Sequence, residues 1–480
     1  MEKLHLIPLP KAQLLIKFFL YLIGVALPFS AALGQIMNNT QTSIPFIEPP
    51  MPNGFEGRPT FCNFVQSPNY QHTIWQCMFK ETILKAPFPS ALKEWDNHLS
   101  IAIDKTGVLG QAVIGDPLHI AGSRLPSAGL IIGINNENER VAIPLSPYTP
   151  YQLVSLVKNE RVQQELYFAQ PNITTKAIKA WHIPNQGWLV NRIQNNLTGI
   201  PKTYLTLFNR QGAVISERQL TEIYNQHGIT VTNNGQIVSW GSGLGYSIKV
   251  LCLNQQLEGS STVFRPDGVA PTTGVIYNKD HVLLMGIKQD QIQDQHNPTI
   301  RMRVVTPSKD CQIEEWGYVA LPRHFTGVDG DDKISPTGEV MRMAKANDAD
   351  FWRRYIANVF VTPQGQVIVF YYQYNDTDIR RADGVIVSSL KDLKASLWAM
   401  QFDPVTKKIL WDKLVIANND PAIESLSLFP AAQPPQLSLA FMPNLNQLWV
   451  ALLNPSIPDN DLEKAKNPSM RPRIYQLDIR

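Results

Sequence analysis

The sequence predicts an all-β chain folded as a β-propeller, with seven four-stranded blades in one ring closed by a strand from the N-terminus. Three observations predict it. Helical apolar periodicity is nearly absent, while β-branched and aromatic runs bounded by Gly, Pro, Asn and Asp recur along the chain. The runs keep one order: strand, tight turn, strand, connection, strand, turn, strand. The last group lacks its fourth strand, and a spare extended segment, Thr42–Glu48, lies near the other terminus. Repeated four-stranded antiparallel units mark propellers. One blade alone leaves both faces wet; in a ring each face is buried against a neighbour.

The chain opens with Lys3, Lys11 and Lys17, then an uncharged apolar run from Phe18 to Leu33, then the small residues Ser30, Ala31, Ala32 and Gly34. That is the order of a secretory signal peptide, residues 1–34, with cleavage after Ala32 or Gly34. The run of 16 residues is short of the 20 or so that span a bilayer. The expectation is an exported chain, periplasmic or extracellular, with no transmembrane span once mature. Residues 35–60 are expected to form an extension that holds the closing strand and the Pro-rich stretch Pro49–Pro59, and residues 61–480 the propeller.

The blades follow. The first takes Phe61–Val65, His72–Phe79, His98–Ile103 and Val108–Ile114; the second takes Leu118–Ala121, Gly129–Ile134, Tyr151–Val157 and Val162–Phe168. Lys179–Ile183, Trp188–Ile193, Thr203–Phe208 and Ala213–Leu220 make the third. Gly228–Thr232, Gln236–Gly241, Tyr246–Leu253 and Leu257–Phe264 make the fourth, with Asn233-Asn234-Gly235 as a strong hairpin cue. Val275–Tyr277, His281–Ile287, Ile300–Thr306 and Gln312–Tyr318 give the fifth. Ala357–Thr362, Gln366–Tyr372, Ser396–Phe402 and Lys408–Ile416 give the sixth. Leu437–Met442, Gln447–Leu453 and Arg473–Ile479 remain for the seventh.

Four cysteines, Cys62, Cys77, Cys252 and Cys311, are compatible with two disulfides in an exported chain. Three pairings are open, and Cys62 with Cys77 is the local one, within a single hairpin.

In the sixth blade, Trp398-Ala399-Met400 followed by Asp403-Pro404-Val405-Thr406-Lys407-Lys408-Ile409-Leu410-Trp411 resembles the repeat of the PQQ-like propellers, in the wider PQQ-like and WD40-like repeat superfamily. In that family an Asp, a Thr-Gly-Lys turn and a closing Trp mark the outer strands. Here Lys407 stands where the family has Gly, and two extra residues separate Ala399 from Asp403. Asp104-Lys105-Thr106-Gly107 is a second echo. The resemblance covers about two blades and implies the fold; most proteins with such repeats are binding scaffolds, so it does not imply the quinone.

Forty-three basic against 40 acidic residues leave a net charge of +3 and no basic stripe, which argues against a nucleic-acid partner. The metalloprotease helix, the phosphate loop and the nucleophile elbow are all missing from the sequence. The informative feature is a lopsided set of connections. Long polar insertions fall in the later blades: Lys288–Thr299, Pro322–Tyr355, Tyr374–Lys394 and Asn454–Pro472. Long loops in a compact fold are commonly functional. The candidate ligand-binding residues are His324, Asp329, Asp331, Asp332, Arg353 and Arg354 in the second insertion, and Asp376, Asp378, Arg380 and Arg381 in the third. Asp329 and Asp331, at alternate positions, could direct oxygens at Ca²⁺, although Lys333 and Val340 break the EF-hand pattern. The arginine pairs could clamp a carboxylate or phosphate, or pair with the acids interleaved among them. Residues Asn347–Ile356 could form a short helix that buries Phe351 and Trp352. The expected function is a ligand-binding or protein-interaction scaffold, monomeric or partner-bound, for a protein, small molecule or glycan. The alternative is an extracytoplasmic enzyme, either a carbohydrate hydrolase or lyase or a quinone-dependent dehydrogenase.

Overall fold

The computed structural model describes residues 42–53, 55–84, 97–115, 129–144, 153–158, 161–168, 175–194, 202–243, 247–264, 271–288, 299–308, 310–322, 332–334, 340–343, 355–374, 377–380, 395–417, 420, 422, 437–452 and 472–480. They form seven four-stranded antiparallel blades and one three-stranded sheet. In chain order, β1 (Phe46–Ile47) precedes blade 1, which is β2 (Phe55–Gln66), β3 (Thr73–Leu84), β4 (Asn97–Ile103) and β5 (Leu109–Gly115). Blade 2 is β6 (Gly129–Ile134), β7 (Arg140–Pro144), β8 (Leu153–Lys158) and β9 (Arg161–Tyr167). Blade 3 is β10 (Thr175–Ile183), β11 (Gly187–Gln194), β12 (Lys202–Asn209) and β13 (Val214–Gln219). Blade 4 is β14 (Asn225–Val231), β15 (Ile237–Ser242), β16 (Ile248–Leu253) and β17 (Gly259–Phe264). Blade 5 is β18 (Thr273–Tyr277), β19 (His281–Lys288), β20 (Thr299–Thr306) and β21 (Gln312–Ala320). After β22 (Asp332–Ile334) and β23 (Val340–Met343), blade 6 is β24 (Tyr355–Val361), β25 (Val367–Tyr374), β27 (Ala395–Phe402) and β28 (Ile409–Ile416), with β26 (Thr377–Arg380) inserted. Blade 7 is β29 (Leu437–Met442), β30 (Gln447–Leu452), β31 (Ile474–Asp478) and, paired antiparallel to β31, β1.

The N-terminal segment therefore closes the ring as expected, through the pairs Phe46↔Tyr475 and Ile47↔Ile474. Two residues of ladder are little, and side chains reinforce them. Ser43 Oγ donates to Asp420 Oδ2 at 2.7 Å, Arg473 Nη1 donates to Asp420 Oδ1 at 2.8 Å, and the Arg473 guanidinium lies 4.2 Å from the Phe46 ring centre. Burial, with Asp420 beside it, pushes the Tyr475 hydroxyl pKa up, so it stays protonated.

Two readings are corrected. In blade 2 the first strand is Gly129–Ile134 and the second Arg140–Pro144; Leu118–Ala121, read as the first strand, lies outside the described residues. The missed turn is Asn135–Asn138, where Asn135 Oδ1 accepts from the Glu137 and Glu139 amides at 3.0 and 2.8 Å. Tyr355 and Ile356, read as the end of a helix, begin strand β24; residues 347–354 lie outside the described residues. Strand β2 also starts at Phe55, inside the Pro-rich stretch. Pro59 sits there beside a bulge, where a missing N–H is tolerated.

One turn recurs. Asp104, Asn209 and Asn254 each begin a loop between third and fourth strands, and their side-chain oxygens accept backbone amides two and four residues on. The fourth residue takes positive φ: Gly107 at 80°, Gly212 at 79° and Leu257 at 65°. In blade 6 the same device carries one extra residue, from Asp403 to Lys407 at φ 63°. The first–second loop of blade 4 works alike, so only Gly235 (φ 82°) of Asn233-Asn234-Gly235 is left-handed, a three-residue loop rather than a two-residue one.

The first strand of each blade is innermost and touches its counterparts: β2 meets β29 and β6, β6 meets β10, β14 meets β18, β18 meets β24, and β24 meets β29. Apolar clusters fill the junctions behind them, for example Trp75, Leu99 and Ile101 of blade 1 with Ala440, Met442 and Trp449 of blade 7. At several junctions a side-chain amide imitates a strand partner. Gln66 Nε2 donates to the Phe441 carbonyl (2.7 Å) and its Oε1 accepts from the Phe441 amide (3.0 Å), joining blade 1 to blade 7. Gln76 does the same with Ile131 of blade 2, at 2.6 and 2.9 Å. Both disulfides form: Cys62–Cys77 within blade 1, and Cys252–Cys311 from blade 4 to blade 5. By the chain-entropy argument the second, closing the longer loop, contributes about 4 kcal/mol and the first about 3 kcal/mol.

Two predictions follow from the junctions. Gln66→Ala leaves the buried amide and carbonyl of Phe441 without partners and should lower stability by about 3 kcal/mol in denaturant melts; a loss below about 0.5 kcal/mol would mean the amide clamp is ornamental. His98, 2% exposed, donates its Nε2–H to Gln76 Oε1 at 3.0 Å, and burial lowers its pKa to about 4. The unfolded chain takes up this proton near pH 6.5 and the folded chain does not. Stability is thus full above pH 6.5 and should fall by about 3 kcal/mol as pH drops toward 4. His98→Gln should remove that share of the slope when melts at pH 7.5 and 4.5 are compared.

Candidate functional site

Because the strands of a blade are antiparallel, links from second to third strand leave from the same end as links from fourth strand to the next blade. Residues 289–298, 375–394 and 453–473 are links of the first kind, and 321–354 of the second. All four emerge on one face. The pairing of two of them bears this out. Strands β22 and β23 belong to the link between blades 5 and 6, β26 to the link within blade 6, and they form one sheet in the order β22-β23-β26.

Its register places charge in rows. Asp332 pairs with Arg342, which pairs on its other side with Asp378. Two positions along, Ile334, Val340 and Arg380 form another row, and Lys333, Met341 and Ile379 lie between the two. Of the predicted residues, Asp332, Asp378 and Arg380 are thus brought together from two insertions. His324, Asp329, Asp331, Arg353, Arg354, Asp376 and Arg381 lie outside the described residues. Arg342, in the middle of the sheet, was missed, although Val340-Met341-Arg342-Met343 carries a period-two signal. Among the described residues no three His, Cys, Asp or Glu side chains converge as a metal cage needs, and Asp329 and Asp331, which carry the calcium expectation, lie outside them. No helix among the described residues is long and apolar enough to cross a membrane.

The inner wall of the ring is the other concave surface. Innermost strands bulge in blades 1, 2, 3, 4 and 6, at Thr60, Ile132, Ile178, His227 and Ala357, between the paired residues flanking each. Bulges re-aim side chains and are common beside sites. His227 Nδ1 donates to the Pro271 carbonyl at 3.2 Å. Gly228 and Gly274 leave room for the Trp240 ring: a Cβ would come within 2.1 Å of it at Gly228 and 2.7 Å at Gly274. Trp240 thereby wedges blades 4 and 5 tightly together.

Blades 3 and 4 differ. Strands β10 and β14 touch least among the neighbouring innermost pairs. These blades are tied farther out, by Arg218 Nη1 donating to the Leu257 carbonyl at 2.7 Å and by Gln186 Nε2 donating to Gln255 Oε1 at 2.8 Å. On β10, Ile178 is 45% exposed and Lys179 is exposed; on β14, Gln226 to Thr230 are all partly exposed. Lys179 Nζ lies 5.2 Å from the Trp181 ring centre. Protein surrounds the ammonium even though water reaches it, and this desolvation lowers its pKa. Three poorly exposed arginines are paired: Arg192 with Glu217 at 2.6 Å, Arg303 with Glu315, and Arg473 with Asp420. Lys179 has no ion pair among the described residues.

No protein-family model and no curated protein matches the chain. Solved structures that resemble it include a member of the DUF4221 family from Bacteroides vulgatus, 8% identical, TM-score 0.35, covering 91% of this chain and 98% of that one. The subtype N11 neuraminidase-like protein of a flat-faced bat isolate from Peru (H18N11) is 7% identical, TM-score 0.32, covering 75% and 94%. A luciferin-regenerating enzyme is 7% identical, TM-score 0.32, covering 88% and 92%. Likenesses this distant leave the activities of those proteins with those proteins.

Arg342→Glu puts three acids in one row of the inserted sheet. Limited proteolysis should then cut residues 321–354 and 375–394 several-fold faster, with the melting temperature of the ring unchanged. Unaltered cleavage would mean the row contributes nothing to the pairing.

Proposed function

We propose that the chain is an exported propeller of the PQQ-like and WD40-like repeat superfamily, acting as a binding scaffold whose working face carries the insertions of blades 5 to 7. The observation that carries this reading is the sheet β22-β23-β26. Two separate polar insertions, from different links, meet in one structure on one face instead of trailing independently. A fold that only needed to join its blades has no use for it; the short loops of blades 3 and 4 manage the same joints. The repeat assignment draws support from the shared turns at Asp104 and Asp403, where Gly107 and Lys407 take the left-handed position. Export draws support from the two disulfides and from the order of charge, apolar run and small residues at the N-terminus. On this reading Asp332 and Asp378 hold the inserted sheet together through Arg342, and Arg380 meets the ligand with a guanidinium that matches carboxylate or phosphate.

The test is thermal melting of the exported product, its N-terminus read by mass spectrometry, against calcium chloride and a panel of neutral and acidic monosaccharides. A ligand that binds only the folded chain raises the melting temperature by mass action. The expected result is a product beginning at Leu33 or Gln35, and a shift that Arg380→Ala abolishes. A shift indifferent to Arg380→Ala and to replacing residues 375–394 by a short turn would move binding off this face, and an unprocessed intracellular product would end the export reading.

A further inference from the structure

A sheet that ends on an unpaired strand invites another strand, and folded chains blunt such edges with charges, bulges or brevity. The outermost strands of this ring are blunted, with one exception. Strands β5, β9, β13, β21 and β28 each carry an extra residue on the edge strand itself, beside Gly110 in β5, at Gln163, Ile215 and Trp316 in the next three, and at Leu410 and Val415 in β28. All of these but β5 also carry charged residues, among them Glu165, Glu217, Glu314 and Asp412. Strand β1 is two residues long. The exception is β17, Gly259-Ser260-Ser261-Thr262-Val263-Phe264. It has no charge, and its ladder with β16 runs from Gly259 to Phe264 without a shift of register.

The turn before β17 shows which of its groups are free. The Asn254 amide donates to the Glu258 carbonyl at 2.8 Å, and ladder bonds alternate from there. Ser260, Thr262 and Phe264 therefore turn their backbone groups to β16, while Gly259, Ser261 and Val263 turn theirs to the rim. These outward groups have no backbone partner among the described residues. Gly259 and Ser261 are exposed, and Val263 is 53% exposed. The links that leave blade 4 on the insertion face are short, residues 243–247 and 265–272; the long insertions belong to blades 5 to 7.

We infer that β17 is a self-association edge: it pairs antiparallel with β17 of a second copy, about a twofold axis at Ser261, so that two blades join in one continuous sheet. In this register Ser261 meets Ser261 and Gly259 meets Val263, which brings outward backbone groups against outward ones and forms about six hydrogen bonds. A twofold contact sets a patch against itself. On β21 it would crowd Glu314 and Glu315 against their own copies, and like charges oppose pairing; β17 brings none. Val263, the side chain that stands out, comes opposite the bare Gly259 of the other copy, once on each side of the axis. Any extended strand can take the backbone groups, but a second copy also supplies this fit of large to small. The rim of blade 4 is separate from the inserted sheet, and the inference does not rest on the function proposed for that sheet.

The test is analytical ultracentrifugation of the intact chain from low micromolar to several hundred micromolar. A reversible monomer–dimer equilibrium is expected, weak because the interface is small. Ser261→Lys and Ser261→Asp should each weaken dimerisation tenfold or more by setting like charges at the axis, without changing the melting temperature of the dilute chain. An equimolar mixture of the two variants should dimerise again. Ile215→Lys, on the rim of blade 3, and Arg380→Ala should leave the equilibrium unchanged. Hydrogen exchange of the wild-type chain gives a second measurement that needs no variant: the amides of Gly259, Ser261 and Val263 should slow as concentration rises. A chain that stays monomeric throughout, a dimer that survives Ser261→Lys, or protection confined to other strands overturns the proposal.

Discussion

The ring depends on holding neighbouring innermost strands together when their backbones do not form a common ladder. Each blade satisfies its own hydrogen bonds, so the junctions must be made by side chains. Apolar packing supplies most of the contact, but it is non-directional and does not fix how far one blade slides on the next. The amides of Gln66 and Gln76 supply the direction. Each offers one donor and one acceptor to a single residue of the next blade, as a strand would. Asn358 Nδ2 donates to the Leu437 carbonyl across the next joint, and Ser438 Oγ accepts from the Phe64 amide at 2.7 Å. These contacts cluster around blades 6, 7, 1 and 2, on either side of the blade that combines strands from both ends of the chain.

Closure by β1 belongs to the same logic. The N-terminal strand contributes two residues of ladder, and Asp420 gathers Ser43 and Arg473 around it. The carboxylate is 6% exposed and bonded on both oxygens, which compensates its burial. Elsewhere the joints are made differently. A disulfide links blades 4 and 5, and the Trp240 ring fits between Gly228 and Gly274. Blades 3 and 4 have neither and are held by the apolar cluster of Ile183, Leu189, Ile223 and Val231 and by the bonds of Arg218 and Gln186.

The inserted sheet β22-β23-β26 is built on two long links of different kinds, so its register is set by pairing between connections and not within a blade.

Strand content, turn positions and the number of blades were legible in the sequence because they are local. Alternation of apolar residues shows which runs pair, and Asn, Asp and Gly at fixed offsets show where the chain reverses. Blade 2 was misread where this failed: its first turn, Asn135–Asn138, has no glycine, and an asparagine takes the left-handed position instead. The candidate face was legible as insertion length, and its order was not. That Asp332 and Asp378 share Arg342 depends on a register between segments of different links. Lys179 reads in sequence as one more charge on a strand. Only the tertiary structure set it across from Asn191, at the junction where the innermost strands touch least. Local chemistry fixes how each strand begins and ends; which strands touch across the ring is settled by contacts between residues far apart in the chain, and no local pattern encodes their spacing.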